Sequence, residues 1–318
     1  MPDYVISARN KKNNDTFGSE PGPSSLLVIP DGEQPKQSQG IENSKWAKKV
    51  IAEARKGVDK NDPTAFGNIL VFVHGYNNSQ KTVMERHRQL RDDIKKSGIP
   101  CVVVSFDWPS GDVGILYLED RIDAKKSAMQ LVTDGILLLA NNQAPDCNVN
   151  VHVLAHSMGA LVVREAFDDA DDRGSLTGMS WIVSQMMLIA GDISAGSLSA
   201  GNSSSESLYR HVVRLTNYSS SHDGVLALSN AKRVGVAPRV GRHGLPSDAP
   251  SNAVNVDCSD YWKNERNNRQ TIGNSQHSWH IGDPVFTQDM IAAISGIDRG
   301  SMPTRTVRNG KLVLQTPV

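Results

Sequence analysis

The chain has 318 residues, 38% of them hydrophobic, which allows one large or two average domains with polar loops around a sizeable core. The formal net charge at pH 7 is +0, so no excess of charge favours nucleic acid or an anionic membrane surface as a partner. The three cysteines, Cys101, Cys147 and Cys258, stand far apart without a C-x-x-C pair, which argues against a disulfide framework or a zinc cluster.

The first 60 residues combine short strand signals with one helix. The start, MPDYVISARNKK, lacks the charged and apolar regions of a secretion signal, and no later apolar stretch has the length of a membrane span. We therefore expect a cytoplasmic protein. YVISA and SLLVIP are predicted as short strands at a sheet edge, separated by the polar run NKKNNDTFGSEPGPSS. SKWAKKVIAEARK is predicted as an amphipathic helix with Ser44 as its N-cap.

Strand and helix signals then alternate as far as residue 295. Apolar, β-branched runs are predicted as strands, and apolar residues at successive positions indicate burial on both faces. Helical patterns between them predict right-handed crossovers, and therefore an α/β fold with a mostly parallel sheet and helices on both faces. The predicted strands are 69–75, 101–108, 149–155, 185–192, 211–218 and 253–259, and the predicted helices are 80–96, 118–141, 159–169, 224–232 and 283–295.

Two further segments bear on the domain organisation. ISAGSLSAGNSSSESLYR, residues 193–210, is predicted as a flexible loop without core residues, too short and too polar to form a helical cap. In the tail RTVRNGKLVLQ, Asn309 and Gly310 stand between alternating residues and predict a β-hairpin in a surface extension. We therefore predict a single domain over residues 1–298, with edge strands and a helix in 1–64, no large cap, and a tail over 299–318.

The most informative stretch is VHVLAHSMGALVVREAF, residues 151–167, where a predicted strand runs directly into a helix. In a nucleophile elbow, G-x-S-x-G, the serine sits on a strained turn that projects its hydroxyl above the sheet. Ala155 replaces the first glycine by adding one methyl group, Gly159 is retained, and the following helix directs its N-terminus at the site. The pattern predicts Ser157 as a nucleophile, and the alternative is a buried serine at a helix N-terminus.

An oxyanion hole needs two backbone N–H groups. The first is expected from Met158, directly after the nucleophile, and the second from the loop after an upstream strand. In ILVFVHGYNNS that loop begins at His74-Gly75, and the N–H of Tyr76 is the expected donor. His74 and Trp108 are candidate substrate-pocket residues. The alternative roles are that His74 braces the loop and that Trp108 covers the top of the core.

An acid and a histidine are expected after the serine, in that order. Asp223 follows the strand RLTNY in SSSHDGVLALS, and His277 lies in SQHSWHIGDPVF before the last helix. Asp192, which ends the preceding strand in IAGDIS, is the alternative acid, and His280 is the alternative base.

The motifs HGYN, FDWPS and AHSMG, an Asp before the helical run GVLALS, and a late Q-H-S-W together resemble a bacterial branch of the α/β-hydrolase superfamily. That branch is catalogued as a domain of unknown function and presumed to hold serine esterases. The resemblance covers roughly residues 4–298 and implies the α/β-hydrolase fold, with Ser157, His277 and Asp223 as nucleophile, base and acid. The family usually has glycine before this histidine, where the present chain has Gln276.

We therefore predict a serine hydrolase that cleaves small carboxylic esters, with a preference for short acyl chains, through an acyl-enzyme and without a metal or organic cofactor. Lipase, thioesterase and amidase activities use the same triad and stay open as alternatives. A non-catalytic interaction protein on the same fold is the alternative from another class.

Overall fold

The structure, a computed structural model, describes residues 1–59, 61–62, 64–110, 117–143, 148–172, 181–231, 237–265 and 271–317. Its strands are β1 (Asp3–Lys11), β2 (Phe17–Ile29), β3 (Gly67–Val73), β4 (Cys101–Asp107), β5 (Val149–His156), β6 (Val183–Ile189), β7 (Val212–Ser219), β8 (Ala253–Asp257), β9 (Arg305–Arg308) and β10 (Lys311–Leu314). Its α-helices are α1 (Asn43–Ala54), α2 (Gln80–Ser97), α3 (Tyr117–Gln130), α4 (Leu137–Asn141), α5 (Gly159–Asp172), α6 (Ser203–Arg210), α7 (Gly224–Ala231), α8 (Val240–His243), α9 (Ser259–Glu265) and α10 (Pro284–Ile294).

Within the described ranges these strands form one ten-stranded sheet in the order β2-β1-β4-β3-β5-β6-β7-β8-β10-β9. The strands from β4 to β8 in that order are parallel to their neighbours. The predicted α/β fold with a mostly parallel sheet is therefore confirmed. The helix predicted over 118–141 is also present, with a π-helical turn, Leu131–Ile136, joining α3 to α4. Cys147 and the predicted helix end at residue 232 lie outside the described residues.

The core has two layers because successive residues of the central strands face opposite sides of the sheet. Ile69, Val71 and Val73 of β3 pack into the cluster that contains Trp46 of α1 and Leu161 of α5. Leu70 and Phe72 pack into the cluster on the other face, which contains Leu90 of α2 and Phe286 of α10. Burial on both faces is the reason why β3 is apolar at successive positions.

The N-terminal strands are longer than predicted. β1 and β2 form an antiparallel hairpin, with β2 at the edge and β1 parallel to β4 from Tyr4↔Val104 to Ser7↔Asp107. The polar run that was predicted to separate two short strands is mostly strand itself, because β1 continues to Lys11 and β2 begins at Phe17. Strand pairing satisfies the backbone groups of this polar run whatever its side chains are.

The helix predicted after the hairpin is present as α1, but its N-cap differs. The carboxylate of Glu42 accepts the backbone N–H groups of Ser44 and Lys45, so the prediction of Ser44 as the cap is wrong. A glutamate side chain reaches these N–H groups as well as a serine does, and its charge favours a helix N-terminus.

The segment 193–210 is not the flexible loop without core residues that we predicted. It forms a 3₁₀ turn, Ala195–Leu198, and helix α6, and both Leu198 and Leu208 are buried. The hydroxyl of Ser207 donates to the backbone oxygen of Phe167 in α5. The segment is therefore packed against the domain, because short helices can bury isolated leucines even in a Ser-rich sequence.

The tail forms the predicted hairpin, with Asn309 and Gly310 at φ 50° and 73°. It is not a surface extension, because β10 pairs with β8 and the side chain of Arg305 is buried in an ion pair with Asp289 at 2.6 Å. The hydroxyls of Tyr218 and Thr304 also donate to this carboxylate, at 2.6 and 2.5 Å. The division of the chain at residue 298 stays a prediction.

Replacing Arg305 by methionine is expected to lower the free energy of unfolding by about 3–5 kcal/mol, because it leaves the buried Asp289 carboxylate without its cation. Urea unfolding measures this change. Arg308→Met, at an exposed position of the same hairpin, is the matched control and is expected to change stability by less than about 0.5 kcal/mol. Equal, small effects of both substitutions would show that the tail is a separable appendage.

Candidate active site

Ser157 lies on the turn between the end of β5 and the start of α5, with φ at 55°. This left-handed conformation is strained for a residue other than glycine. The turn is held on both sides, since the N–H of Ser157 donates to the oxygen of Ile189 at 3.0 Å and the N–H of Asp192 donates to the oxygen of Ser157 at 2.9 Å. The A-H-S-M-G stretch thus forms a strained strand-turn-helix junction.

Close contacts at this turn explain which glycines are present. A Cβ atom on Gly159 would lie 2.4 Å from the backbone oxygen of Val73, and one on Gly75 would lie 2.8 Å from the Cβ atom of Ser157. Neither position has room for a side chain. Ala155 is fully buried in β5, where its methyl group is accommodated. The loop after β3 therefore lies directly against the serine turn.

That loop is held by Asn78, which the sequence analysis did not single out. The side-chain NH₂ of Asn78 donates to the backbone oxygens of Gly75 and Tyr76, at 2.7 and 2.9 Å. The carbonyl of Gly75 and the N–H of Tyr76 belong to one trans peptide and point in opposite directions. Fixing that carbonyl therefore also fixes the direction of the Tyr76 N–H.

His74 and Trp108 lie beneath this loop. The indole N–H of Trp108 donates to the backbone oxygen of His74 at 2.7 Å, and the two rings are stacked with centroids 5.4 Å apart. Burial lowers the pKa of His74 below its ordinary value. Both residues have 0% exposure, so their position supports packing against the loop rather than a place in an open substrate pocket.

A buried ion pair lies behind the same loop and was also missed. Asp107, at the end of β4, accepts from Arg9 Nε at 2.8 Å and from Gln80 Nε2 at 2.9 Å. Burial raises the pKa of this carboxyl, but the charge of Arg9 and the hydrogen bond to His74 outweigh burial and hold the pKa well below its usual range. Asp107 could have been singled out from the sequence, because it lies in the FDWPS motif. Arg9 lies in a polar N-terminal run without a motif, so the sequence does not indicate its role.

The structure brings His277 and Asp223 together, although they are 54 residues apart in the chain. The Nδ1–H of His277 donates to Oδ2 of Asp223 at 2.7 Å. The other oxygen, Oδ1, accepts the N–H of Leu226 at 3.0 Å in the first turn of α7, which fixes the plane of the carboxylate. With its proton on Nδ1, the imidazole keeps a lone pair on Nε2, where a general base needs it.

His156 connects this pair to the serine turn. Its Nε2–H donates to the backbone oxygen of His277 at 3.2 Å, and the two rings lie 4.9 Å apart. Burial lowers the pKa of His156 well below its ordinary value, so the ring stays neutral. Because His156 immediately precedes Ser157, His277 lies next to the turn that carries the serine.

The alternative acid and base are placed differently. The carboxylate of Asp192 lies 3.4 Å from Nε of Arg239. His280 is 2% exposed, with its ring stacked on Trp279 at 4.0 Å. Gln276, at the position where the family usually has glycine, places its side-chain oxygen 2.5 Å from where a Cβ atom on Gly224 would stand.

Across the described ranges, no group of three or more His, Cys, Asp or Glu side chains is arranged to hold a metal ion, and no helix is long and apolar enough to cross a membrane.

Comparison with known proteins finds a matching family model. Residues 52–266 match the model of a family described as "Alpha/beta hydrolase of unknown function (DUF900)". No curated protein matches the chain.

Several solved structures are similar at low identity. Phospholipase PlaB from Legionella pneumophila, in complex with thio-NAD, is 16% identical with a TM-score of 0.33, and the match covers 54% of this chain and 43% of that protein. A cutinase-like protein from Cryptococcus sp. is 16% identical with a TM-score of 0.36, over 72% of this chain and 95% of that one. The peroxisomal alpha-beta-hydrolase Lpx1 from Saccharomyces cerevisiae is 10% identical with a TM-score of 0.39, over 97% and 92%.

Proposed function

This chain belongs to the alpha/beta hydrolase family of unknown function that matches residues 52–266, and on that premise we propose that it is a serine hydrolase of carboxylic esters. The observation that carries the proposal is the 2.7 Å contact between His277 and Asp223 beside the strained turn of Ser157. A nucleophile, a base and an orienting acid, held at one end of the sheet, are the groups that acyl transfer requires.

In the proposed mechanism, Nε2 of His277 removes the hydroxyl proton of Ser157 as its oxygen attacks the ester carbonyl. Asp223 keeps the imidazole in the required tautomer and stabilises the imidazolium that forms. The imidazolium then gives its proton to the leaving alcohol, and the acyl group stays on the serine. Water, deprotonated by the same histidine, attacks this acyl-enzyme, and the imidazolium returns the proton to the oxygen of Ser157 as the carboxylic acid leaves.

The negative charge that develops on the carbonyl oxygen needs two donors. We assign them to the N–H groups of Met158, at the start of the elbow helix, and of Tyr76, whose peptide is held by Asn78. Each such donor contributes about 2.7–4 kcal/mol to stabilising the transition state. The burial of the surrounding groups strengthens both contacts, because little water competes for them.

A fluorophosphonate probe tests the proposed nucleophile directly. It should label the wild-type protein once, and peptide mapping should find the phosphonyl group on Ser157. Ser157→Ala should abolish labelling. Ser105→Ala, which changes a fully buried serine of β4, is the control and should leave labelling intact. A wild-type protein that is not labelled, or is labelled elsewhere, would contradict the proposal.

The esters are expected to have short acyl chains. The segment 193–210 is fastened to α5, because the hydroxyl of Ser207 donates to the backbone oxygen of Phe167 and the guanidinium of Arg164 donates to the hydroxyl of Ser197 at 3.0 Å, so it is not free to close over a long chain. Each CH₂ left in water forgoes about 0.8 kcal/mol of binding. The ratio kcat/KM should therefore be highest for the short members of a p-nitrophenyl series from acetate to palmitate. A maximum at long chains, with activation above the critical micelle concentration, would indicate a lipase instead.

A further inference from the structure

Arg86 of α2 is a buried residue, 3% exposed, that contacts two separate loops of the site. One guanidinium nitrogen, Nη1, donates to Oδ1 of Asn78 at 2.9 Å, in the loop after β3. The other, Nη2, donates to the backbone oxygen of Ile272 at 3.0 Å and to the hydroxyl of Ser278 at 3.1 Å. Ser278 directly follows His277, so a single planar group connects the oxyanion loop to the loop that carries the base.

The same guanidinium also reaches the serine turn. Nη1 of Arg86 lies 3.5 Å from Nδ1 of His156. Because the Nε2–H of His156 donates to the oxygen of His277, its Nδ1 carries a lone pair and can accept from Arg86. Arg86 therefore contacts the residue that precedes Ser157, in addition to both loops.

The acceptors around Arg86 are neutral: an amide oxygen, a carbonyl, a hydroxyl and an imidazole. Burial lowers its pKa to about 10, so the group is still a cation at neutral pH. Burying a cation among neutral acceptors is costly for stability. A stabilising role alone therefore accounts poorly for this residue, and strongly perturbed buried groups are typical of functional sites.

Asn78 transmits the effect of Arg86 to the oxyanion loop. An amide side chain accepts on one side and donates on the other, and the cation of Arg86 holds its oxygen. Its NH₂ group must then face the carbonyls of Gly75 and Tyr76, as observed. Through this chain of contacts, the orientation of the Tyr76 N–H depends on Arg86.

We propose that Arg86 is a positioning residue for ester hydrolysis. Through Asn78 it directs the N–H of Tyr76 at the reacting carbonyl, and through Ser278 it keeps His277 aligned with the turn of Ser157. The inference rests on the proposed function, because it assumes an oxyanion that Tyr76 stabilises. Arg86 itself touches no reacting atom and acts through its neighbours.

Two substitutions test the positioning role. Asn78→Asp keeps an oxygen for Arg86 and adds an ion pair, but it replaces the NH₂ donors by an oxygen that repels the carbonyls of Gly75 and Tyr76. Arg86→Lys keeps the charge but cannot bridge Asn78 and Ser278 with one planar group. Each is expected to lower kcat by about 10- to 100-fold, the size typical of small displacements of catalytic groups, with KM changed less than about threefold.

The inhibition constant Ki of a trifluoromethyl ketone distinguishes a positioning role from a purely structural one, because a loss of stability alone would not change it. The ketone's tetrahedral adduct with a serine places an oxyanion in the hole, so its Ki should rise in parallel with the fall in kcat. Arg88→Lys is the matched control, because it makes the same change on the same helix at a residue paired with Asp3, and it should leave kcat and Ki unchanged.

The outcomes separate the two proposals. If the wild type hydrolyses esters and both Asn78→Asp and Arg86→Lys keep its kcat and Ki, the positioning role is overturned and the esterase function stands. A lower kcat with an unchanged Ki in both variants would also overturn the role as proposed, since the direction of the Tyr76 N–H would then depend on neither Asn78 nor Arg86. If the wild type neither hydrolyses esters nor reacts with a fluorophosphonate, the proposed function fails, and this inference fails with it.

Discussion

Ser157→Ala is expected to lower kcat for ester hydrolysis by about 10⁶-fold, the loss typical of removing the nucleophile of a triad. On the proposed mechanism, the remaining groups would still polarise the carbonyl, but no oxygen would be left to form the acyl-enzyme. The substitution removes one hydroxyl from a residue that is 6% exposed and leaves its backbone in place, so the fold should persist.

The measurement combines steady-state hydrolysis of p-nitrophenyl acetate with circular dichroism and thermal unfolding. The variant should retain the wild-type spectrum and unfold within a few degrees of the wild type. Because the background rate of this ester is appreciable, single-turnover assays at high protein concentration are needed to reach the expected range. A folded alanine variant with more than a few per cent of wild-type activity would show that another group is the nucleophile.

The second large effect concerns the base and the acid. His277→Ala should lower kcat about as much as Ser157→Ala, because members of a triad act as a unit. Asp223→Asn should be milder, at roughly 10⁴-fold, since the imidazole survives but loses the carboxylate that selects its tautomer. His280→Ala, at the alternative base, should retain most of the activity.

Asp192→Asn decides between the two candidate acids. Asp192 lies against Arg239, so its substitution should lower stability more than kcat. Its backbone N–H, which holds the serine turn, is unaffected by the change. Rates are to be compared per folded protein, determined by unfolding curves of both variants. A greater loss of kcat in Asp192→Asn than in Asp223→Asn would reassign the acid.

Much of the fold could be predicted because its signals are local. The strands of the central sheet are apolar at successive positions, as Ile69 and Leu70 illustrate, because both faces of the sheet are covered by helices. The serine turn is also local, since the small residues around Ser157 reflect a close approach of strand and helix within a few residues. The order of serine, acid and histidine along the chain then limited the partners to few candidates.

The predictions that were wrong concern polar segments. The polar run between the two predicted N-terminal strands carries no strand pattern, yet antiparallel pairing of β1 with β2 extends both strands into it. The polar composition of the segment 193–210 also predicts a loop. In the structure the segment is helical, and the burial of Leu198 and Leu208 against neighbouring elements stabilises that conformation. In both segments, tertiary contacts outweighed the intrinsic backbone preference. The free-energy difference between local conformations is only a fraction of a kcal/mol per residue.

By itself, the sequence determined the parallel α/β sheet, the position of the serine turn and the candidates for its partners, because hydrophobic periodicity and turn chemistry act between residues close in the chain. Only the tertiary structure decided that the imidazole of His277 meets Asp223 and that Arg86 links Asn78 to Ser278, 192 residues away from the arginine. Contacts between polar side chains so distant leave no periodic pattern, because each depends on one pair of atoms that folding alone brings together.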